Sequence, residues 1–292
     1  MYICEFHLLA QLPKLSLSPK YEQRRRRNMT YANTVNGNSC KANQQIIARS
    51  FKSQSAPVAN SNIAKVSCGD CRLQGHCLAK DISTAAQSQL GDIVKTHRKM
   101  KKRQHLYRQE DQFESLFFIR SGCVKSYVTN PDGDELAVSF FMPGEMIGLD
   151  GLYSKQHTSS IVALEDTYIC EIPYSALEEL CGEHPLLQKH FTELMSRQIV
   201  QEQEMTMLRG QKTAANQLLA FLLNLSERFE RLNQSPITFR LPMTRKDIAG
   251  CLGLTIETVS RMFTTFQEQG LMEVNGRDIT LTNVEEATAI RH

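Results

Sequence analysis

Apolar and polar positions change rhythm twice along this chain. From about Lys99 to Pro173 short β-type runs alternate with turn signals. The runs are Ser115 to Arg120, Cys123 to Thr129, Leu136 to Phe141, Ser160 to Ala163 and Thr167 to Ile172; Ser121-Gly122, Asn130-Pro131-Asp132-Gly133 and Pro143-Gly144 mark the turns. Short, evenly spaced strands predict a sandwich or barrel. Helical spacing takes over near Ser175 and continues, with interruptions, to Leu232. Its longest piece, from about Pro185 to Arg209, places Leu187, Phe191, Leu194, Met195, Ile199, Met205 and Leu208 on one stripe at steps of three and four. The opposite face is polar and no competing core partner lies nearby in sequence, so a seam between two chains is at least as well supported as packing within one domain. Glu202 falls on the same stripe, where a carboxylate facing its symmetry mate opposes pairing unless the register lets it reach water.

The third rhythm begins at Thr244. With Asp247 three residues on, Thr244 can form a capping-box-like start to a short helix that buries Ile248 and Leu252. Gly253 supplies a tight turn, and Thr255 can cap a second helix that runs to about Gln269 and stops at Gly270. In that helix Val259, Met262, Phe263 and Phe266 share a buried face, so Glu257, Ser260 and Arg261 must project on another, exposed one. Leu271 to Val274, Asn275-Gly276 and Asp278 to Thr282 then predict a β-hairpin with a type I′ turn. Helix, turn, helix and hairpin make a winged helix-turn-helix. The exposed triad suits a major groove of double-stranded DNA: Arg can pair with guanine, Glu can accept from a cytosine amino group, and Ser can reach a base edge or phosphate.

Composition narrows the class. A chain of 292 residues with 41% hydrophobic and 22% charged residues holds enough apolar material for one or two packed domains and lacks the bias of a collagen or a rod. Its longest apolar runs, such as Leu218 to Leu223, are far shorter than the ~20 residues a membrane span needs. The net charge of +3 hides an asymmetry, because residues 1–60 hold nine Lys/Arg against two acids and the remainder is mildly acidic. Residues 235–282 carry five basic and five acidic side chains, so the case for DNA reading is geometric rather than one of bulk charge. Residues 1–60, with the Arg24 to Arg27 run, read as a flexible leader without assigned function, and Met29 is an alternative start.

Nine cysteines, an odd number in a chain too large to need disulfide staples, favour a reducing cytoplasm with some thiols acting as metal ligands. Cys68, Cys71 and Cys77 lie in a short polar segment with Gly69 and Gly75, a spacing that can converge on zinc or an iron-sulfur centre. A fourth ligand is needed. Cys123, Cys170, Cys181 and Cys251 are the candidates; Cys251 sits within a helix and reads as core, and spacing does not choose among the others. His76 is a further possible zinc ligand.

The segment Thr244 to Asn283, with Gly253-Leu254-Thr255-Ile256-Glu257-Thr258-Val259-Ser260-Arg261, resembles the CRP/FNR superfamily of bacterial transcription regulators. The Cys68/Cys71/Cys77 spacing, Ile119-Arg120-Ser121-Gly122 and Cys170-Glu171-Ile172-Pro173 narrow the resemblance to the FNR/Anr branch, over about residues 64–283. It implies an α+β fold: a cysteine-rich cluster-binding segment (61–82), a cyclic-nucleotide-binding-like β-barrel (83–183), a long dimerisation helix (184–210) and a C-terminal winged helix-turn-helix (211–292). It also implies that Cys68, Cys71, Cys77 and Cys170 hold a [4Fe-4S] cluster, because the cysteine before Glu-Ile-Pro matches the fourth ligand while Cys123 does not. Glu257, Ser260 and Arg261 match base-reading positions for an inverted repeat of TTGAT-like half-sites. The homodimer would pair through Met195, Ile199, Glu202 and Met205, and the turn carrying Gly133 and Asp134 resembles one that contacts RNA polymerase.

The expected function is an oxygen-responsive regulator, activating or repressing anaerobic-metabolism promoters, whose cluster controls dimerisation and operator binding. Two alternatives stay open: a structural zinc clip, and a nitric-oxide-sensing site. Cyclic AMP is not expected as a ligand, since the stretch Gln156-His157-Thr158-Ser159-Ser160 lacks an Arg to pair a cyclic phosphate. Arg72 and His76, bulkier and more polar than the family leads one to expect beside the cysteines, are expected to alter oxygen access or cluster charge, and with it the sensitivity to air. Neither a Gly-x-Gly-x-x-Gly after a strand nor a nucleophile elbow is present, which disfavours an enzyme.

Overall fold

The computed structural model describes residues 68–211 and 213–283; the expected leader, Met29 and residues 61–67 lie outside the described residues. The chain enters through two 3-10 turns, Cys68–Asp70 and Gln74–His76, and helix α1 (Thr84–Ile93), whose first turn is capped by the Ser83 hydroxyl accepting from the Ala86 N–H at 3.2 Å. Leu78, Ala79, Ile82, Ala86 and Leu90 fasten this segment to Leu116, Phe118 and Ile172 of the barrel and to Leu187 and Phe191 further on.

Eight strands follow: β1 (Thr96–Met100), β2 (His105–Tyr107), β3 (Ser115–Ser121), β4 (Val124–Thr129), β5 (Glu135–Phe141), β6 (Met146–Ile147), β7 (Ser160–Ala163) and β8 (Thr167–Pro173). They form two antiparallel four-stranded sheets, in the orders β1-β8-β3-β6 and β2-β7-β4-β5. Met100, Tyr107, Phe117, Ile119, Val124, Ile147, Ile161, Ala163 and Ile169 fill the space between them. All five expected strands are present, each end within one residue. The turn between β3 and β4 needs glycine: Gly122 has φ +87°, and a Cβ there would stand 2.5 Å from the Thr167 hydroxyl.

Helix α2 (Tyr174–Glu183) is separated from α3 (Pro185–Arg209) by extended His184. The bounds of α3 are those the stripe implies, but its surroundings are not uniform. Leu187 and Phe191 are buried against the cysteine-rich segment and the barrel, and Met205 and Leu208 in the core around the next helix. Of the stripe, only Ile199 in the middle is exposed, at 59%. The expectation for Met205 is thereby corrected: at 6% exposure it packs within its own chain.

Helix α4 (Ala214–Arg231) carries the run Leu218 to Leu223, and every member of it is buried. Strand β9 (Thr238–Arg240), helices α5 (Arg245–Leu252) and α6 (Ile256–Glu268), and strands β10 (Met272–Asn275) and β11 (Asp278–Leu281) complete the chain. Their three-stranded sheet has the order β10-β11-β9. The core around α4 also takes in Cys123, Ala137, Phe140 and Met142 of the barrel, so the two regions share apolar packing. Charged side chains lock the same boundary. Arg228 donates from Nη2 to Glu145 Oε2 and to the Phe140 carbonyl, each at 2.6 Å, and from Nε to Glu145 Oε1 at 3.0 Å. Lys125 Nζ reaches Asp247 at 3.0 Å, and Arg209 Nε donates to the Cys251 carbonyl at 2.7 Å. No helix among the described residues is long and apolar enough to cross a membrane.

Candidate metal centre and nucleic-acid interface

Four cysteines from two distant parts of the chain meet. Cys68, Cys71 and Cys77 come from the N-terminal turns, and Cys170 from the middle of β8, opposite Phe118 of β3. All four line one small cavity whose other walls are mainly Leu73, Leu78, Leu90, Val94, Phe118 and Ile172. Burial is the main reason three of these thiols resist ionisation: it raises Cys68, pushes Cys77 up to about 11 and pushes Cys170 up to about 12. The mutual repulsion of the sulfurs adds to this, and Cys170 feels Cys71, Cys68 and Cys77.

Four soft donors clustered in an apolar wall, with Cys68, Cys77 and Cys170 costly to ionise alone, fit a cationic inorganic centre, which supplies the charge that thiolates require. No three His, Cys, Asp or Glu side chains among the described residues converge on a single-ion position. An iron-sulfur cube engages each thiolate at its own iron, so its ligands need not converge on one point.

Arg120 is the residue of this site that pattern reading passed over. Ile119 pairs with Ile169 and Ser121 with Tyr168, so Arg120 is the extra residue of a β-bulge. Its side chain lines the thiol cavity, and its charge opposes the rise at Cys68 and Cys170. The motif Ile-Arg-Ser-Gly contained it; nothing in hydrophobic alternation marks a bulge. Arg72 is exposed, and neither it nor His76 is in that wall. His76 lies on the other side, its Cβ close to Gly144, among Met142, Pro143, Glu145 and Leu194. The remaining cysteines among the described residues are core: Cys123 and Cys251 with the residues around α4, Cys181 within α2. Cys251 donates from Sγ to the Val138 carbonyl at 3.5 Å.

The reading motif is built as its caps imply. Thr244 and Asp247 form a full capping box on α5, Gly253 takes a left-handed conformation at φ +69°, and the Thr255 hydroxyl accepts from the Thr258 N–H at 3.2 Å. Val259, Phe263 and Phe266 are buried, Met262 partly so, and Glu257, Ser260 and Arg261 are all exposed. Arg245 of α5 lies over the Phe263 ring, 3.4 Å from its centroid, tying the two helices together.

The wing differs from expectation in two ways. Its turn pair is Gly276-Arg277, because Asn275 still pairs with Asp278, and only Gly276 of that pair has positive φ, at +63°. A type I′ turn needs both central residues there, so the geometry is that of a II′ turn with glycine first. Strand β9, too short and too exposed to announce itself, adds a third strand. The turn between β4 and β5 is exposed as expected. Gly133 has φ +87°, and the Asp134 N–H donates to the Asn130 side chain at 2.8 Å.

Comparison with known proteins agrees with this geometry. Residues 97–184 match the cyclic nucleotide-binding domain and residues 216–286 the Crp-like helix-turn-helix domain. The chain is 41% identical over 214 residues to the transcriptional activator protein FnrA of Stutzerimonas stutzeri, covering 73% of this chain and 88% of that protein. It is 40% identical over 223 residues to the transcriptional activator protein anr of Pseudomonas aeruginosa, covering 76% and 91%. Among solved structures, FixK2 from Bradyrhizobium japonicum superimposes with a TM-score of 0.62 at 27% identity, over 68% of this chain and 97% of that one. From the barrel, the long helix, the winged motif and these relatives together, the chain belongs to the CRP/FNR family of DNA-binding transcription regulators, in the branch that holds FnrA and Anr.

Proposed function

We propose that this protein is an FNR-type cytoplasmic regulator of anaerobic-metabolism promoters, in which Cys68, Cys71, Cys77 and Cys170 hold an oxygen-sensitive [4Fe-4S] cluster. The observation that carries the reading is the meeting of these four thiols, and no other cysteine among the described residues, in one apolar cavity. When bound, the cluster would supply a redox-labile centre that oxygen can degrade. The chain does the rest. Cys170 ties the N-terminal turns to β8, while Leu187 and Phe191 share a core with Leu78 and Leu90, so the position of the cysteine segment is coupled to the start of α3.

Along α3, Met195, Ile199 and Glu202 remain to meet a second copy, Ile199 exposed and the other two half-buried. Pairing brings two α6 helices to an inverted repeat of TTGAT-like half-sites, which Glu257, Ser260 and Arg261 read; one half-site alone binds too weakly to compete with non-specific DNA. Gly133 and Asp134, on the exposed β4–β5 turn, face RNA polymerase.

The test is the metal itself. Anaerobically purified protein is expected to be brown, with iron and acid-labile sulfide near four each per chain. Ala variants of Cys68, Cys71, Cys77 or Cys170 should lose the colour, and Cys123→Ala should keep it. Colourless protein with stoichiometric zinc would replace this reading with the structural-clip alternative. A brown protein bleached by nitric oxide but stable in air would make nitric oxide the signal.

A further inference from the structure

Between the barrel and the middle of α3 lies a cavity of about 950 Å³, walled by Tyr107, Asp150, Thr158 and Ser159 on one side and Ile199 and Glu202 on the other. Its polar end is organised around one carboxylate. Asp150 Oδ2 accepts from the backbone N–H groups of Thr158 at 3.0 Å and Ser159 at 3.1 Å, from the Ser159 hydroxyl at 3.0 Å and from the Thr158 hydroxyl at 3.5 Å. Oδ1 takes the Tyr107 hydroxyl and His157 Nδ1, each at 3.2 Å. Successive backbone N–H groups with converging hydroxyls form a concavity for an anion.

The carboxylate is held there firmly. His157 is 4% exposed and stacks on Tyr107 with ring centroids 3.5 Å apart. Gly148, at φ +103°, starts the turn that carries Asp150, and a Cβ on Gly151 would sit 2.8 Å from Phe113. Nothing in the reading of the cysteines or of α6 uses this arrangement.

We propose that residues 157–159 form an anion site that the chain fills with its own Asp150, a tethered stand-in for a phosphoryl group. It closes the cavity to phosphorylated ligands and holds the cavity wall under α3 in its occupied form with no effector bound. The domain matched by residues 97–184 is one described by its cyclic nucleotides. In this chain the donors such a phosphate would use are already taken.

The experiment compares full-length wild type, Asp150→Ala and Asp150→Asn, prepared anaerobically, by thermal unfolding and by equilibrium dialysis. The probes are inorganic phosphate and 3′,5′-cyclic AMP, with chloride at matched ionic strength as control. Phosphate stabilises most folded proteins weakly, so the quantity read is each variant's gain over that of the wild type. The wild type is expected to bind neither probe saturably. Asp150→Ala should melt lower in chloride, recover in phosphate and bind phosphate saturably, with cyclic AMP binding only if the rest of the cavity accepts a nucleoside. Asp150→Asn, whose amide still fills the cradle, should bind neither. If Asp150→Ala folds only in phosphate, the proposal is supported. If it gains no more than the wild type and takes up no phosphate, or if the wild type binds phosphate in a manner lost in Ser159→Ala, the proposal is overturned.

Discussion

Arg120 shows how one side chain can set the chemistry of its neighbours. Among the described residues it is the only cation in the wall of the thiol cavity, and its field favours the thiolate forms of Cys68 and Cys170 against the burial that opposes them. In metal-free protein, Arg120→Gln should therefore slow alkylation of these two cysteines by iodoacetamide at mildly alkaline pH, leaving Cys123 unreactive as before. An unchanged rate would mean that the guanidinium does not act on the sulfurs. On α6, Arg261→Ala should cost about 1–3 kcal/mol of operator binding and relax the preference at a single base step, whereas loss of a phosphate contact would weaken all sequences alike. Competition binding against single-base operator variants separates the two.

Asp150 gives a pH dependence. Burial alone would raise its carboxyl, but bonds from His157 and Ser159 outweigh that and hold it below its usual value. A lowered carboxyl contributes stability that is present above the unfolded-state value, near pH 4, and is lost as pH falls through the folded one. The advantage of wild type over Asp150→Asn in urea unfolding should accordingly be full at pH 7 and shrink as pH drops below about 4.

At the scale of elements, what could be read from sequence followed burial on one face. Strands β3, β4, β5, β7 and β8 alternate or run apolar because each buries at least one face, β4 and β7 between the sheets, β3 and β8 on both sides and β5 against the core around α4, and so they were legible. Strand β1 reads Thr-His-Arg-Lys-Met and lies at a sheet edge, where charge is favoured and no alternation is needed. Strands β2, β6 and β9 are too short to show a period. For α3 periodicity gave the bounds and the shared face, but it cannot say what covers that face; three separate environments do, and Met205 fell in the wrong one.

That Cys170 joins Cys68, Cys71 and Cys77 was legible only through resemblance, since spacing left the fourth cysteine open and a bulge hid Arg120. Caps, being local, were read correctly. Thr244→Ala removes the hydroxyl that accepts from the Asp247 N–H while leaving the Thr244 N–H bonded to the Asp247 carboxylate, and should lower stability by about 1 kcal/mol in chemical denaturation. Gly253→Ala, at φ +69°, should cost about 1–2 kcal/mol in the same assay.

At the scale of the whole molecule, the barrel and the winged motif are joined by packing and by buried charge. The Arg228–Glu145 pair, with side chains 8% and 18% exposed, is bidentate and sits at this junction. Arg228→Ala leaves Glu145 without its partner in a nearly dry place and should destabilise the chain by about 3–5 kcal/mol, detectable as an early unfolding transition. Arg228 and Glu145 replaced together by Met and Leu should cost much less. The exposed middle of α3 belongs to this scale too. Ile199→Asp should weaken self-association by about 2–3 kcal/mol, on the order of 30- to 150-fold in sedimentation, with the monomer fold unchanged.

The central claim is that an intact metal centre on Cys68, Cys71, Cys77 and Cys170 decides whether two chains stay paired on DNA. Anaerobic gel-shift titration of a TTGAT-type palindrome measures this directly, using loaded protein, the same protein after exposure to air, and Cys170→Ala. The loaded form should bind at least 100-fold more tightly than the other two, a difference of roughly 3 kcal/mol. Equal affinity of metal-free and loaded protein would contradict the account.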